Sequence, residues 1–153
     1  LLHNIRIRDV VSILPRKAIL ILGHFQADRK IILDSLRQEL RRKGFLPIHL
    51  DFEASSNHEL TETLRTLAHL SYFIIVDLTE PSPIIHGLEI LTSLLPPVLI
   101  QPMMSIGNQR NTIIENFCRY SWVLQPHIYK SQETLITELA EKVIQPAQVK
   151  LHK

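Results

Sequence analysis

Two stretches of this chain, KAILILG at 17–23 and SYFIIVDL at 71–78, carry apolar runs with no polar interruption. A strand with one wet face alternates polar and apolar side chains. A strand that is apolar throughout is covered on both faces. Crossover helices supply such a cover, and from residue 17 onward short apolar runs alternate with amphipathic segments. The chain is therefore expected to build an α/β domain around a parallel sheet.

The remaining elements follow from periodicity and punctuation. Ile32, Leu36 and Leu40 recur at a spacing of four beside Leu33, predicting a helix from Ala27 to Lys43 that Gly44 stops. FLPIHLD at 45–51 reads as a strand, and Pro47 restricts it to an edge because proline cannot donate to a ladder. Ser56 and Glu59 form a capping-box pattern before a helix through Leu60, Leu64 and Leu67. A further helix is expected over 83–94, and a fourth strand in PPVLIQPM at 96–103. Then come a helix with Ile113, Ile114 and Phe117, and a fifth strand in SWVLQP at 121–126. Ser131 caps a last helix carrying Leu135, Leu139 and Val143, which Pro146 is expected to end.

Strands and helices joined by short right-handed crossovers fit a flavodoxin-like three-layer fold. Its sheet is five-stranded and parallel, in the order 2-1-3-4-5, with helices on both faces. That order puts the two fully apolar strands in the middle and the Pro47 strand at an edge. Residues 1–16 read as an amphipathic lead-in, 17–146 as the domain and 147–153 as a frayed polar tail.

Composition narrows the function. A length of 153 residues fits one domain, and 45% apolar residues suffice for a core. A formal net charge of +2 points to neither nucleic acid nor a membrane surface, and no apolar run is long enough for a transmembrane segment. The single Cys118 permits no internal disulfide and fits a reducing, cytoplasmic setting, and no secretory signal is visible. The chain opens LLHN without a methionine, so a fragment with an upstream domain is expected.

Open α/β sheets bind ligands at the carboxyl ends of their strands, where the strand order reverses. Here that point lies between the first and third strands. The residues available there are Gly23, His24 and Phe25 after strand one and Asp51, Phe52 and Glu53 after strand two, of which Gly23, His24, Phe25 and Asp51 are candidate ligand contacts. Asp77, Thr79 and Glu80 follow strand three, and Gln101 and Pro102 come from strand four. Asp77 reads as a ligand contact or a turn cap, since Asp followed two residues on by Thr is also good turn chemistry. Asp51, at an edge, favours a structural use. GHFQADRK after strand one matches no phosphate-loop pattern. Arg29 and Lys30 read either as solvated helix residues or as support for an anion at the helix start. The histidines show no metal-ligand spacing; His49 and His69 read as structural, and only His24 reaches the rim. Cys118 reads as a core thiol, Trp122 as packing, and Arg41, Arg42 and Lys43 as charges offsetting a helix dipole.

AILILGHFQADRKIILDSLRQELRRKGFLPIHLDFE, followed by HELTETLRTLAHLSYFIIVDLTEP, resembles the bacterial Toll/interleukin receptor (TIR)-like domains. The branch in question is found attached to pentapeptide-repeat or membrane-associated modules. The likeness spans about residues 4–145, including IRIRDVV, VLIQP and YSWVLQP, and is weaker over 83–95. The resemblance implies a flavodoxin-like fold and one of two roles. One is a signalling or nucleotide-sensing module that self-associates. The other is an N-glycosidase that cleaves NAD or a related adenine nucleotide, with no cofactor required. That chemistry needs a carboxylate at an oxocarbenium-like centre.

The resemblance also locates a departure. The branch carries an Ile-Pro-x-Glu-Leu segment after the strand-end aspartate. In VDLTEPSPIIHGLEIL at 76–91, matching the leucine to Leu88 puts Gly87 at the glutamate. Residues two apart on a helix point about 200° apart, so Glu89 is expected on the solvent side of a stripe formed by Ile84, Leu88, Leu91 and Leu95. Gly87 is expected at the border of that stripe. Glu80 is the better stand-in for the missing carboxylate, with Glu89 a displaced alternative.

Overall fold

The computed structural model describes residues 17–51, 58–80, 84–107 and 112–152. The two apolar runs form β1 (Ala18–Gly23) and β3 (Phe73–Asp77), in which every residue is buried. They pair in parallel, with β2 (Leu46–Asp51) outside β1 and β4 (Ile100–Ser105) then β5 (His127–Tyr129) outside β3. The order is β2-β1-β3-β4-β5, as predicted, and Pro47 sits on the edge strand.

Alternate residues of the central strands supply the two cores. Leu20, Leu22, Ile74 and Val76 face a layer made by α2 (His58–Leu70), α3 (Ile85–Thr92) and α4 (Thr112–Phe117). Ile19, Ile21, Phe73 and Ile75 face α1 (Ala27–Arg42) and α5 (Gln132–Glu138). Each fully buried Leu or Ile contributes about 1.5–3 kcal/mol relative to exposure, so these two layers hold the sheet between them. Ser131 caps α5 as expected, in a reciprocal box with Thr134: the Thr134 N–H donates to Ser131 Oγ, and the Ser131 N–H to Thr134 Oγ1.

Three boundaries differ from expectation. The fourth strand runs over 100–105, not 96–103, because the Pro96–Pro97 pair denies the ladder its N–H groups. The segment 121–126 holds one bridge, Val123 to Ile100, and the fifth strand forms beyond Pro126. The predicted tail is helical: α5 passes through a π-helical turn at Leu139–Ile144 into α6 (Gln145–Leu151). Pro146 does not stop this helix. It follows closely on the π-helical turn, a local change of helix spacing, and Ala147 beyond it is wholly buried. The lead-in 1–16 and the capping residue Ser56 lie outside the described residues.

Candidate functional site at the strand ends

At the carboxyl end of β3, the Asp77 carboxylate is almost sealed from solvent. The Arg29 Nε and Nη2 atoms donate to its Oδ2 at 3.0 and 2.6 Å. The backbone N–H and hydroxyl of Thr79 donate to its Oδ1 at 3.2 and 2.7 Å. Both oxygens are thus occupied. Arg29, in the first turn of α1, is itself buried, which neither sequence reading anticipated; Lys30 beside it is solvated, 64% exposed at the side chain.

Tyr129, from the end of β5, completes the cluster. Its hydroxyl accepts from Arg29 Nη2 and lies 3.5 Å from Thr79 Oγ1. The proton order follows from the partners. Thr79 gives its hydroxyl hydrogen to Asp77 and accepts the N–H of Ser105 at 3.0 Å, so Tyr129 is the donor toward Thr79. Burial alone would lower the Arg29 pKa, but the Asp77 charge and the bonds to Tyr129 and Asp77 outweigh it and raise it. Burial, then the Asp77 charge, pushes the Tyr129 phenol up, so it stays protonated at neutral pH. The cluster is an ion pair of zero net charge joining α1, β3, β4 and β5.

The other rim residues divide around it. His24 follows β1 with Nε2 at 3.8 Å from Glu80 Oε2, and its Nδ1 is sealed without a hydrogen-bond partner among the described residues. The Glu80 side chain is 52% exposed. Phe25 is buried and packs on His49, whose pKa is lowered by burial and then by Arg37. Asp51 ends β2 half-buried, opposite Gly23 in the ladder, with Oδ1 sealed and unpartnered among the described residues. Phe52 and Glu53 lie outside the described residues.

Gly23 is closely packed between Leu33 and Asp77. A Cβ there would stand 3.1 Å from Leu33 Cδ1 and 3.4 Å from Asp77 Cβ. Gln101 is not at the rim: with β4 running to Ser105, it lies near the strand's start, two positions before Met103, which pairs with Asp77. Its buried amide instead donates to the carbonyls of Pro102 and Gln125. The rim position of β4 belongs to Ser105, and β5 contributes Tyr129. Sequence reasoning passed over both because it ended these strands early; the HIY run after Pro126 was the available signal.

On α3, Gly87 is buried, deeper than the border position expected, while Leu95 is 84% exposed and does not belong to the apolar stripe. Ile90 and Leu94 take its place in the core. The Glu89 side chain is 71% exposed and lies 3.7 Å from His86, away from Asp77 and its partners. It borders an apolar groove of about 220 Å³ between α3 and α4, floored by Leu88 and Phe117. Among the described residues no group of three His, Cys, Asp or Glu could hold a metal ion, and no helix is long and apolar enough to cross a membrane.

No family model and no curated protein matches the chain. Solved structures do. A CMP N-glycosidase from Clostridium botulinum superposes with a TM-score of 0.60 at 16% identity, over 81% of this chain and 99% of that one. The Francisella novicida lysine decarboxylase superposes at 0.57 and 13% identity, over 86% of this chain but 17% of that one. Likeness at these identities is a likeness of α/β fold alone.

Proposed function

We propose that this chain is a nucleotide-binding α/β domain of TIR-like kind, acting as a sensing or assembly module without N-glycosidase chemistry. The observation that carries this reading is the helix after β3, which offers the rim no carboxylate, while Asp77 is engaged by Arg29 and Thr79 in a buried cluster. A glycosidase needs a carboxylate free to meet a developing oxocarbenium centre, and a second group to protonate the leaving base or activate water. Gly87 holds the position where the family resemblance expects that carboxylate, and Glu89 looks into solvent beside α4. The strand-end rim and the architecture shared with a CMP N-glycosidase favour a nucleotide as the ligand.

A second reading has one observation of its own. Glu80 is a rim carboxylate, and His24 Nε2 lies 3.8 Å from it. In that reading Glu80 stabilises the sugar cation and His24 handles the proton, a division of labour common to paired acid–base sites.

One assay separates them. The full chain, at high concentration to allow self-association, is incubated with NAD and separately with CMP, and free nicotinamide or cytosine is measured by chromatography. The binding reading expects no base release together with calorimetrically detectable nucleotide binding. Base release that disappears in Glu80→Ala and persists in Glu89→Ala would overturn it in favour of the enzyme.

A further inference from the structure

We propose that the Arg29–Asp77 pair is a selectivity lock on the nucleotide site, opened only by a ligand that brings an anionic group for Arg29 and a vicinal diol for Asp77 together; this rests on the nucleotide-binding reading above. The two side chains are 7% and 2% exposed. A ligand with hydroxyls alone must draw the carboxylate away and leave a guanidinium buried without its counter-charge. A ligand with an anion alone strands the carboxylate in the same way. Removing one member of a buried ion pair is strongly unfavourable, whereas satisfying both at once is close to neutral. A ribonucleotide satisfies both: its phosphate matches the guanidinium fork, and its 2′ and 3′ hydroxyls donate to a carboxylate.

The surroundings suit that exchange. Arg29 stands in the first turn of a 16-residue helix whose N-cap, Gln26, gives no side-chain cap, so an anion reaching Arg29 also meets the positive end of the helix dipole. Asp28 of the same turn is exposed to solvent, where its opposing charge is screened. Among the described residues the bonds to Asp77 and Tyr129 use Nε and Nη2 and not Nη1, leaving that edge of the fork for an incoming anion. Tyr129 accepts from Arg29 and faces Thr79, which holds the far oxygen of Asp77, so both halves of the lock are held by one hydroxyl. Specificity of this kind comes from the penalty on the incomplete ligand and not from added contacts to the complete one.

The test titrates CMP and AMP, each beside its nucleoside, together with inorganic phosphate and NAD, into the full chain by calorimetry. The wild type is expected to bind a nucleotide at least about tenfold more tightly than its nucleoside, with no measurable heat from phosphate. In Arg29→Gln the carboxylate is released from its cation. The nucleotide then weakens, the nucleoside binds more tightly than it does to the wild type, and their ratio falls to about threefold or less. A gain in nucleoside affinity is a change that loss of folding cannot produce. Tyr129→Phe, which keeps the ion pair and the ring, is expected to shift the ratio the same way by a smaller factor, and it decides the matter if Arg29→Gln does not fold. Equal binding of nucleoside and nucleotide by the wild type, or parallel weakening of both in the variants, overturns the lock but leaves nucleotide binding standing. No heat from any nucleotide overturns both.

Discussion

Tyr129 reaches across a whole strand to meet Thr79. The two hydroxyls are 3.5 Å apart although β5, which ends in Tyr129, and β3, which Thr79 follows, are separated in the sheet by β4. Ser105, at the end of β4, gives its N–H to the same Thr79 hydroxyl, so the intervening strand is tied to that oxygen as well. The phenol is thus a tie across the strand ends. Tyr129→Phe is expected to lower unfolding free energy by about 1–3 kcal/mol, since Arg29 Nη2 loses a buried acceptor. Urea unfolding followed by circular dichroism would measure it, and a loss of only a few tenths would mean the bridge carries nothing.

The Arg29–Asp77 pair predicts strong non-additivity. Asp77→Leu alone leaves a buried cation and is expected to cost about 3–5 kcal/mol; Arg29→Leu alone leaves a buried anion and is expected to cost a similar amount. The double variant, with apolar groups facing each other, is expected to be much more stable than the sum of the single losses implies. A double-mutant cycle in denaturant gives the coupling directly, and additive losses would contradict the pairing.

His127 introduces a pH dependence whose sign is fixed. Burial lowers its pKa below the ordinary 6.5, with Glu138 opposing and Lys142 assisting. The unfolded chain therefore takes up the proton first as pH falls. The stability from the neutral, buried ring is complete above about pH 6.5 and is lost progressively below it. Thermal midpoints at pH 7.5 and 5.5 are expected to differ, and His127→Gln is expected to narrow that difference. An unchanged gap would remove His127 as a contributor.

The Ser131 cap is the most transferable expectation. Ser131→Ala deletes the acceptor for the Thr134 N–H at the start of α5. A cost of about 0.5–2 kcal/mol is expected, and Ser131→Asp should recover most of it. Thermal unfolding of the two variants side by side checks both halves.

Much of the architecture was legible because the constraints were local and redundant. Uninterrupted apolar runs at 18–22 and 73–76 demand cover on both faces, and Pro47 demands an edge; together they fix the strand order. The failures have one cause as well. SWVL and VLIQ carry strand-like residues, but whether they pair depends on which backbone N–H groups face a neighbour, and Pro96, Pro97 and Pro126 shift that by several residues. Those shifts moved Gln101 away from the rim and hid Ser105 and Tyr129. Asp77 was visible as a candidate. Its partner was not, because nothing in GHFQADRK distinguishes a buried arginine from a solvated one. On α3, helical geometry correctly predicted that Glu89 faces solvent, while Gly87 proved to be buried.

The C-terminal helix that replaces the expected tail has a practical consequence. His152 accepts or donates at 2.9 Å to the Tyr72 hydroxyl, just before β3 begins, and Lys17 immediately precedes β1. In a parallel sheet both points lie at the amino edge, and the Asp77 cluster lies at the other end of a five-residue strand, roughly 17 Å away. An affinity tag or fluorescent reporter attached beyond His152 would leave from the amino edge, behind the sheet. Titrations on such a fusion would therefore report on the strand-end rim without the appendage shielding it. A shortened chain cut at Pro146 would not serve, because it would strip Ala147 out of the core.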